Sequence, residues 1–323
     1  MQPLFTDFAR VWTPVVMARD LGRGHPLGVR VAGTALVLFR RPDGSPAALL
    51  DRCPHRGASL SLGKLVRGCI ECPFHGWRFD AAGRAVKVPW NPDAKLANLS
   101  AVSVPAREVG GQIWIYTSSD DVPADEPSVN DALLDRRVRM SGVTVEWQSH
   151  WTRVMENMLD WPHLPFVHRR TIGKGLVPLV NGRMDVVVED RPWGFSTRTT
   201  VDGAARQGQL DFRWPNQMNL HIPLARRRLL LMVACVPVDD ARTRLILMTA
   251  RDFLTHPWLD YFFNRANLRI ATEDRAILES SDPPAVPDAR DEKSVRSDAP
   301  TLRFRTAYFA RLKCGPATAT SAQ

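Results

Sequence analysis

Between Val11 and Ser118, apolar and polar positions alternate in short runs: VWTPVVMA, GVRVAG, ALVLFRR, AALLDR, GWRFD, AVKVP and QIWIYTS. A two-residue period broken by Gly, Pro, Asp and Asn clusters predicts strands, and the Asp-Gly of RPDGSP and the Ala-Gly of DAAGRA predict two hairpin turns. Residues 1–118 are therefore expected to form a small antiparallel β-domain. The stretch SSDDVPADEPSVNDALLDRR is acidic, holds two prolines and has no apolar period, so residues 119–137 read as a linker. Residues 138–323 begin with a strand, RMSGVTVEW, and a segment of helical spacing, HWTRVMENMLDW. From Met184 to Phe253 about six further strands follow, separated by VDG, WPN and VDD turns, and predict one antiparallel sheet. The segment PWLDYFFNRANLRIATEDRAILES predicts a long helix, SDAPTLRFRTAYFARL a closing strand with a short amphipathic piece, and GPATATSAQ a disordered tail. The class is α+β.

Composition changes this picture little. A chain of 323 residues, 44% hydrophobic and 24% charged, accommodates two globular domains. No stretch of about 18 apolar residues occurs, so no membrane span is expected. MQPLFTDFARVW lacks the basic, apolar, small-residue order of a secretory signal, and a cytoplasmic location is expected. The net charge is +9, but the arginines are spread along the chain rather than gathered with aromatics, so nucleic acid is not an expected partner. A basic face suits the docking of an acidic electron donor, with a solvated surface as the plainer reading. Five cysteines at uneven spacing, Cys53, Cys69, Cys72, Cys235 and Cys314, argue against a disulfide framework.

Two of the cysteines open short motifs, CPHRG and CPFHGW. Cys53 pairs with His55 and Cys72 with His75, and 16 residues separate His55 from Cys72. Two thiolates and two imidazoles are also a structural zinc set. Zinc fingers usually pair like with like, whereas each loop here offers one Cys and one His, as a Rieske [2Fe-2S] cluster requires. Cys69 makes a C-x2-C with Cys72, but a pair formed that way would orphan Cys53 and His55, so Cys69 is read as a small buried filler.

The second group is ENMLDWPHLPFVH, with Asn157, Asp160, His163 and His168. Two neutral imidazoles and one carboxylate around open positions form the non-haem Fe(II) arrangement for oxygen chemistry. Asp160 lies three residues before His163, so on a helix the two would share a face and the carboxylate could orient the imidazole. Pro162 marks the strain or end of that helix. The third ligand must come from elsewhere.

Both motifs, in this order and separation, resemble those of the Rieske non-haem iron oxygenases, in particular the short oxygenases of the vanillate and dicamba O-demethylase kind. The resemblance implies a Rieske domain followed by a catalytic sheet flanked by helices. It implies that Cys53 and Cys72 bind one cluster iron and His55 and His75 the other, with Trp77 shielding them. It also implies a mononuclear Fe(II) on His163, His168 and a helical acid; the matching text EDRAILE makes that acid Asp274, with Glu273 as runner-up. Electrons would come from NADH or NADPH through a reductase or ferredoxin, and O2 would supply the oxygen. In a homotrimer Asp160 would bridge a cluster histidine of one chain to His163 of the next. Asn157 could gate the open site, and Met218, Asn219, His221, Met232 and Phe212 are candidates to line the pocket. The expected reaction is monooxygenation, as hydroxylation or demethylation of an apolar, aromatic or polycyclic small molecule. Ring dihydroxylation and plain electron transfer or binding are the alternatives.

Overall fold

The computed structural model describes residues 4–120, 123, 125–205 and 209–313. Cys314 and the tail expected to be disordered lie outside the described residues. The chain divides into two compact units, Met1–Pro127 and Ser128–Gln323. The division falls inside the 119–137 segment, whose second half is built into the C-terminal unit. There Asn130 caps a single turn at Asp131–Leu133, Leu133 is buried, and Asp135 accepts a hydrogen bond from Arg228 at 2.7 Å.

The N-terminal unit is made of three small antiparallel sheets. One joins Trp12–Met17, Gln112–Tyr116 and Ala106–Val109; a second joins Leu27–Val31, Thr34–Arg40, Pro46–Leu50 and Ser103–Val104. The third is a run of short strands, Lys64–Val66, Cys69–Glu71, Arg78–Phe79 and Ala85–Lys87. Val37, Phe39, Leu49, Leu60, Ile70 and Phe79 share one core with Cys53 and Cys72, so both cysteines are rooted in packed apolar side chains. Cys69 is only half-buried, a correction to its reading as a buried filler.

The C-terminal unit is organised on one antiparallel sheet. Its main order is Arg139–Trp147, Thr243–Arg251, Arg227–Pro237, Gln217–Leu224, Leu210–Arg213, Gly194–Val201 and Met184–Arg191. Among the described residues four α-helices accompany it: α1 Trp151–Leu159, α2 Leu164–Val167, α3 Asp260–Leu278 and α4 Ala299–Tyr308. The segment expected to be a closing strand is therefore helix α4. Pro300 sits in its first turn, where a missing N–H costs nothing, and Phe304 and Tyr308, four apart on one face, pack edge-on against Trp151 of α1. Arg305 joins the same contact by pairing with Glu156 of α1 and with Glu292. Among the described residues no helix is long and apolar enough to cross a membrane.

Helix α3 is pinned at its first residue. Arg139 and Arg251 are cross-strand neighbours, and both reach Asp260, at 2.5 Å and 2.6 Å. Arg251 is completely buried; it also donates to Ser141 Oγ and the Leu254 carbonyl and stacks on Phe263. Removing one partner of a buried pair leaves an uncompensated charge and costs ~3 kcal/mol. Arg251→Met is expected to lower the denaturation midpoint of the C-terminal unit, as read by circular dichroism and calorimetry.

Candidate functional site

The N-terminal site repeats one backbone device. In Cys53–Gly57 the Gly57 N–H donates to the Cys53 carbonyl at 2.9 Å, and in Cys72–Gly76 the Gly76 N–H donates to the Cys72 carbonyl at 3.1 Å. Both glycines have positive φ, 74° and 70°, which closes each loop in a conformation disfavoured for residues with a Cβ. Each loop therefore buries its cysteine and presents its histidine at an exposed tip. The two imidazoles lie 4.6 Å apart between centroids, and Trp77 stacks on His55 at 4.5 Å with planes 6° apart.

The chemistry of these groups fits a Rieske cluster. Burial, with the neighbouring Cys72 thiol, pushes the Cys53 thiol up to about 11, a penalty on the thiolate that iron ligation would remove. Partial desolvation and the positive charges of His75 and Arg56 lower the His55 pKa, which favours the neutral imidazole that a metal needs.

The second site is assembled by α1, the turn after it, α2 and α3. Leu159 ends α1, and Asp160 lies beyond it with extended backbone, so Asp160 and His163 do not share a helical face as the spacing suggests. Instead a turn brings Asp160 Oδ2 to both the backbone N–H and the Nδ1 of His163, each at 3.0 Å. His168, at the end of α2, places its Nδ1 2.7 Å from Glu273 Oε2, which also accepts from Thr171 Oγ1 at 2.6 Å. Each imidazole thus has a carboxylate on Nδ1, and this leaves Nε2 as the lone-pair nitrogen. Both Nε2 atoms face Asp274 Oδ1, at 3.7 Å for His163 and 3.1 Å for His168.

Asp274 is buried, and among the described residues its Oδ1 has no aligned hydrogen-bond donor. One atom from each of His163, His168 and Asp274 falls within 4.8 Å of the other two. An orphaned carboxylate oxygen beside two oriented imidazoles suits a divalent metal with nitrogen and oxygen ligands. Burial lowers the affinity of His168 for a proton, but the adjacent Asp274 and Glu273 more than offset this and raise its pKa. Glu273, the runner-up from the sequence, lies on the far side of His168 and supports the ring. That role was missed, although the adjacent acids of EDRAILE were its signal.

The three groups line a cavity of about 680 Å³, counted with its open mouth. Met218 lines it; Asn219, His221, Met232 and Phe212 do not. Its walls come from Leu210, Leu220, Leu231, Val233 and Leu247 of the sheet and from Ile270 and Ala271 of α3. Asn157 and Trp161 are also in the lining, and among the described residues Asn157 Nδ2 and Trp161 Nε1 are buried without a partner. Arg226, Arg227 and Arg228 are exposed where the hairpin joins Gln217–Leu224 to Arg227–Pro237, and Arg228 is engaged by Asp135 and Asp252.

Two paired Cys–His loops in a small β-unit and a two-histidine, one-carboxylate pocket on a larger sheet define a two-centre iron oxygenase architecture. Residues 11–102 match the Rieske [2Fe-2S] domain, and residues 147–312 match the vanillate O-demethylase oxygenase C-terminal domain. The chain belongs to the Rieske oxygenases of this vanillate O-demethylase type. Oxygenases of the family carry a [2Fe-2S] cluster and a mononuclear iron and receive NADH or NADPH electrons through a reductase.

Among its relatives is methylxanthine N1-demethylase NdmA of Pseudomonas putida, 30% identical over 316 residues, 91% of this chain and 86% of the relative. The solved structure of NdmA superposes with a TM-score of 0.80 at 27% identity, covering 93% of this chain and 89% of that one. Chlorophyllide a oxygenase of rice is 27% identical over 281 residues, 81% of this chain. The chain spans about half the length of that relative, 48%.

Asp274→Ala is expected to drop the iron-to-sulfide ratio from about three-to-two to about two-to-two. Glu273→Gln keeps the ratio but weakens iron retention ~10-fold to ~100-fold in a chelator titration.

Proposed function

We infer that this chain is the oxygenase component of a multicomponent cytoplasmic monooxygenase that hydroxylates or demethylates an apolar aromatic or polycyclic molecule. Cys53, His55, Cys72 and His75 would hold the [2Fe-2S] cluster, and His163, His168 and Asp274 the mononuclear iron. The observation that carries this reading is the convergence of the three ligand atoms within 4.8 Å in the lining of a cavity walled by Leu, Val, Ile and Met. When bound, the cluster supplies electrons singly and the mononuclear iron supplies dioxygen activation.

The chain's own groups do the rest. Asp160 and Glu273 hold the Nδ1 protons, which keeps both Nε2 atoms basic and fixes both ring planes. The aliphatic walls exclude water from the reacting end, limiting unproductive proton delivery and strengthening local electrostatics. Asn157, which lines the same cavity and whose Nδ2 has no partner among the described residues, would act as a donor at the open position. A homotrimer is proposed, in which the Asp160 carboxylate joins His163 to a cluster histidine of a neighbouring chain. Electrons would arrive from a reductase or ferredoxin docked on the basic surface.

The test is turnover with a surrogate reductase and isotopically labelled dioxygen on methoxy-aromatic, N-methyl and unsubstituted ring compounds, read by product mass and formaldehyde together. Monooxygenation delivers one labelled atom to the substrate and the other to water; formaldehyde release identifies demethylation. Two labelled atoms in one product would mean dihydroxylation instead. Asp160→Asn is expected to retain both metals while product formation per electron consumed falls at least ~10-fold; unimpaired coupled turnover would remove the bridging role.

A further inference from the structure

The catalytic unit holds a second cavity, of about 470 Å³ counted with its open mouth. Pro162, Pro165, Phe166, Leu176, Leu179 and Met184 are among its walls, and among the described residues its only polar lining side chain is Ser297. Among the described residues, Trp161 alone lines both this cavity and the iron-site cavity. Its neighbours divide between the two: Asp160, His163, Leu164 and His168 line the first, whereas Pro162, Pro165 and Phe166 line the second. The ligand-bearing segment is therefore itself the partition between two apolar spaces.

Most of that partition is fixed. Asp160, His163 and His168 are tied to the iron site by the contacts described above. Pro162 and Pro165 hold φ, and the N–H groups of Leu164 and Phe166 donate to the carbonyls of Trp161 and His163 at 3.1 Å and 3.0 Å, which stiffens the backbone between the ligands. Trp161 is under no such obligation. Its ring is buried, with the residue 6% exposed, and among the described residues its buried Nε1 has no acceptor. Within the chain the indole contributes area and shape rather than a hydrogen bond.

We propose that Trp161 is a specificity-determining wall of the substrate cavity. The indole sets the length of substrate that the cavity admits, and a smaller side chain at this position joins the two cavities and admits a longer apolar chain. The proposal rests on the reading of the first cavity as the oxygenase substrate site, but half of its test is independent of that reading.

That half is a crystal structure of Trp161→Ala, which is expected to show one continuous cavity where the native chain has two. The other half is equilibrium dialysis of 4-n-alkylphenols, from methyl to octyl, against the iron-loaded full chain and its variants, with iron content measured alongside. Each methylene enclosed by apolar walls tightens binding roughly fourfold. In the native chain this rise is expected to stop at a length that Trp161→Ala exceeds by two methylenes or more, a gain of at least ~10-fold for the longest probes, while the shortest change by less than ~3-fold. Trp161→Leu, which removes less volume, should move the limit in the same direction by fewer methylenes. Adding Leu179→Trp to Trp161→Ala refills the second cavity and should return the limit to its native value. Two cavities still separate in Trp161→Ala, the same length limit in variant and native chain, or an equal change for every probe overturns the proposal. No binding of any probe to the native chain overturns the reading of the first cavity as a substrate site, and the proposal with it.

Discussion

Arg251 is buried without contact to solvent, and each of its three nitrogens donates to a protein oxygen, on Leu254, Ser141 and Asp260. A guanidinium in that position tolerates no slack, because any movement of Asp260 exposes a charge to an apolar interior. Asp260 is the first residue of α3, and the residues that matter chemically lie later on the same helix. Sliding α3 by one residue would rotate each side chain by about 100° and move it about 1.5 Å along the axis. Asp274 would then leave the imidazoles and Asn267 would leave Thr249, to which its Nδ2 donates at 2.9 Å. The ion cluster at the start of the helix therefore sets the register of both Asn267 and Asp274.

The two histidines are held by the same chemistry from opposite directions. Asp160 reaches His163 across a turn three residues long, whereas Glu273 reaches His168 from a helix more than a hundred residues later. A local and a distant carboxylate thus present two Nε2 atoms to one buried oxygen of Asp274. The adjacency of Glu273 and Asp274 on α3 lets one short stretch supply both the support for a ring and the acid that the rings face. In the N-terminal unit the constraint is backbone closure: two five-residue loops, each ended by a glycine in left-handed conformation, hold their cysteines in the core and their histidines outside. Shifting the histidine from the third to the fourth position of the loop does not alter that closure, so the two loops present different faces with the same fold.

The polarity of the catalytic unit is unevenly distributed. Charged groups collect at the metal end and in the pins of α3 and α4, while the cavity between them is apolar. This arrangement keeps the buried charges paired.

Much of this was legible along the chain. The paired Cys–His loops, the histidines after α1, the antiparallel sheet and the long helix all rest on short-range patterns, in which spacing and turn residues decide the local geometry. The expected strand near residue 305 is a helix because Phe304 and Tyr308 find Trp151, a contact that no local period encodes. Asp160 and His163 meet through a turn since α1 ends before either of them, and four of the five residues expected to line the pocket, Asn219, His221, Met232 and Phe212, do not line it, because strand facing depends on register across the sheet. The sequence by itself determined which residues could bind metal and in what kind of element they stand. The tertiary structure alone decided that Asp274 faces the imidazoles while Glu273 supports one of them. Those are consequences of how α3 is pinned to the sheet by Arg251, across distances that spacing along the chain does not measure.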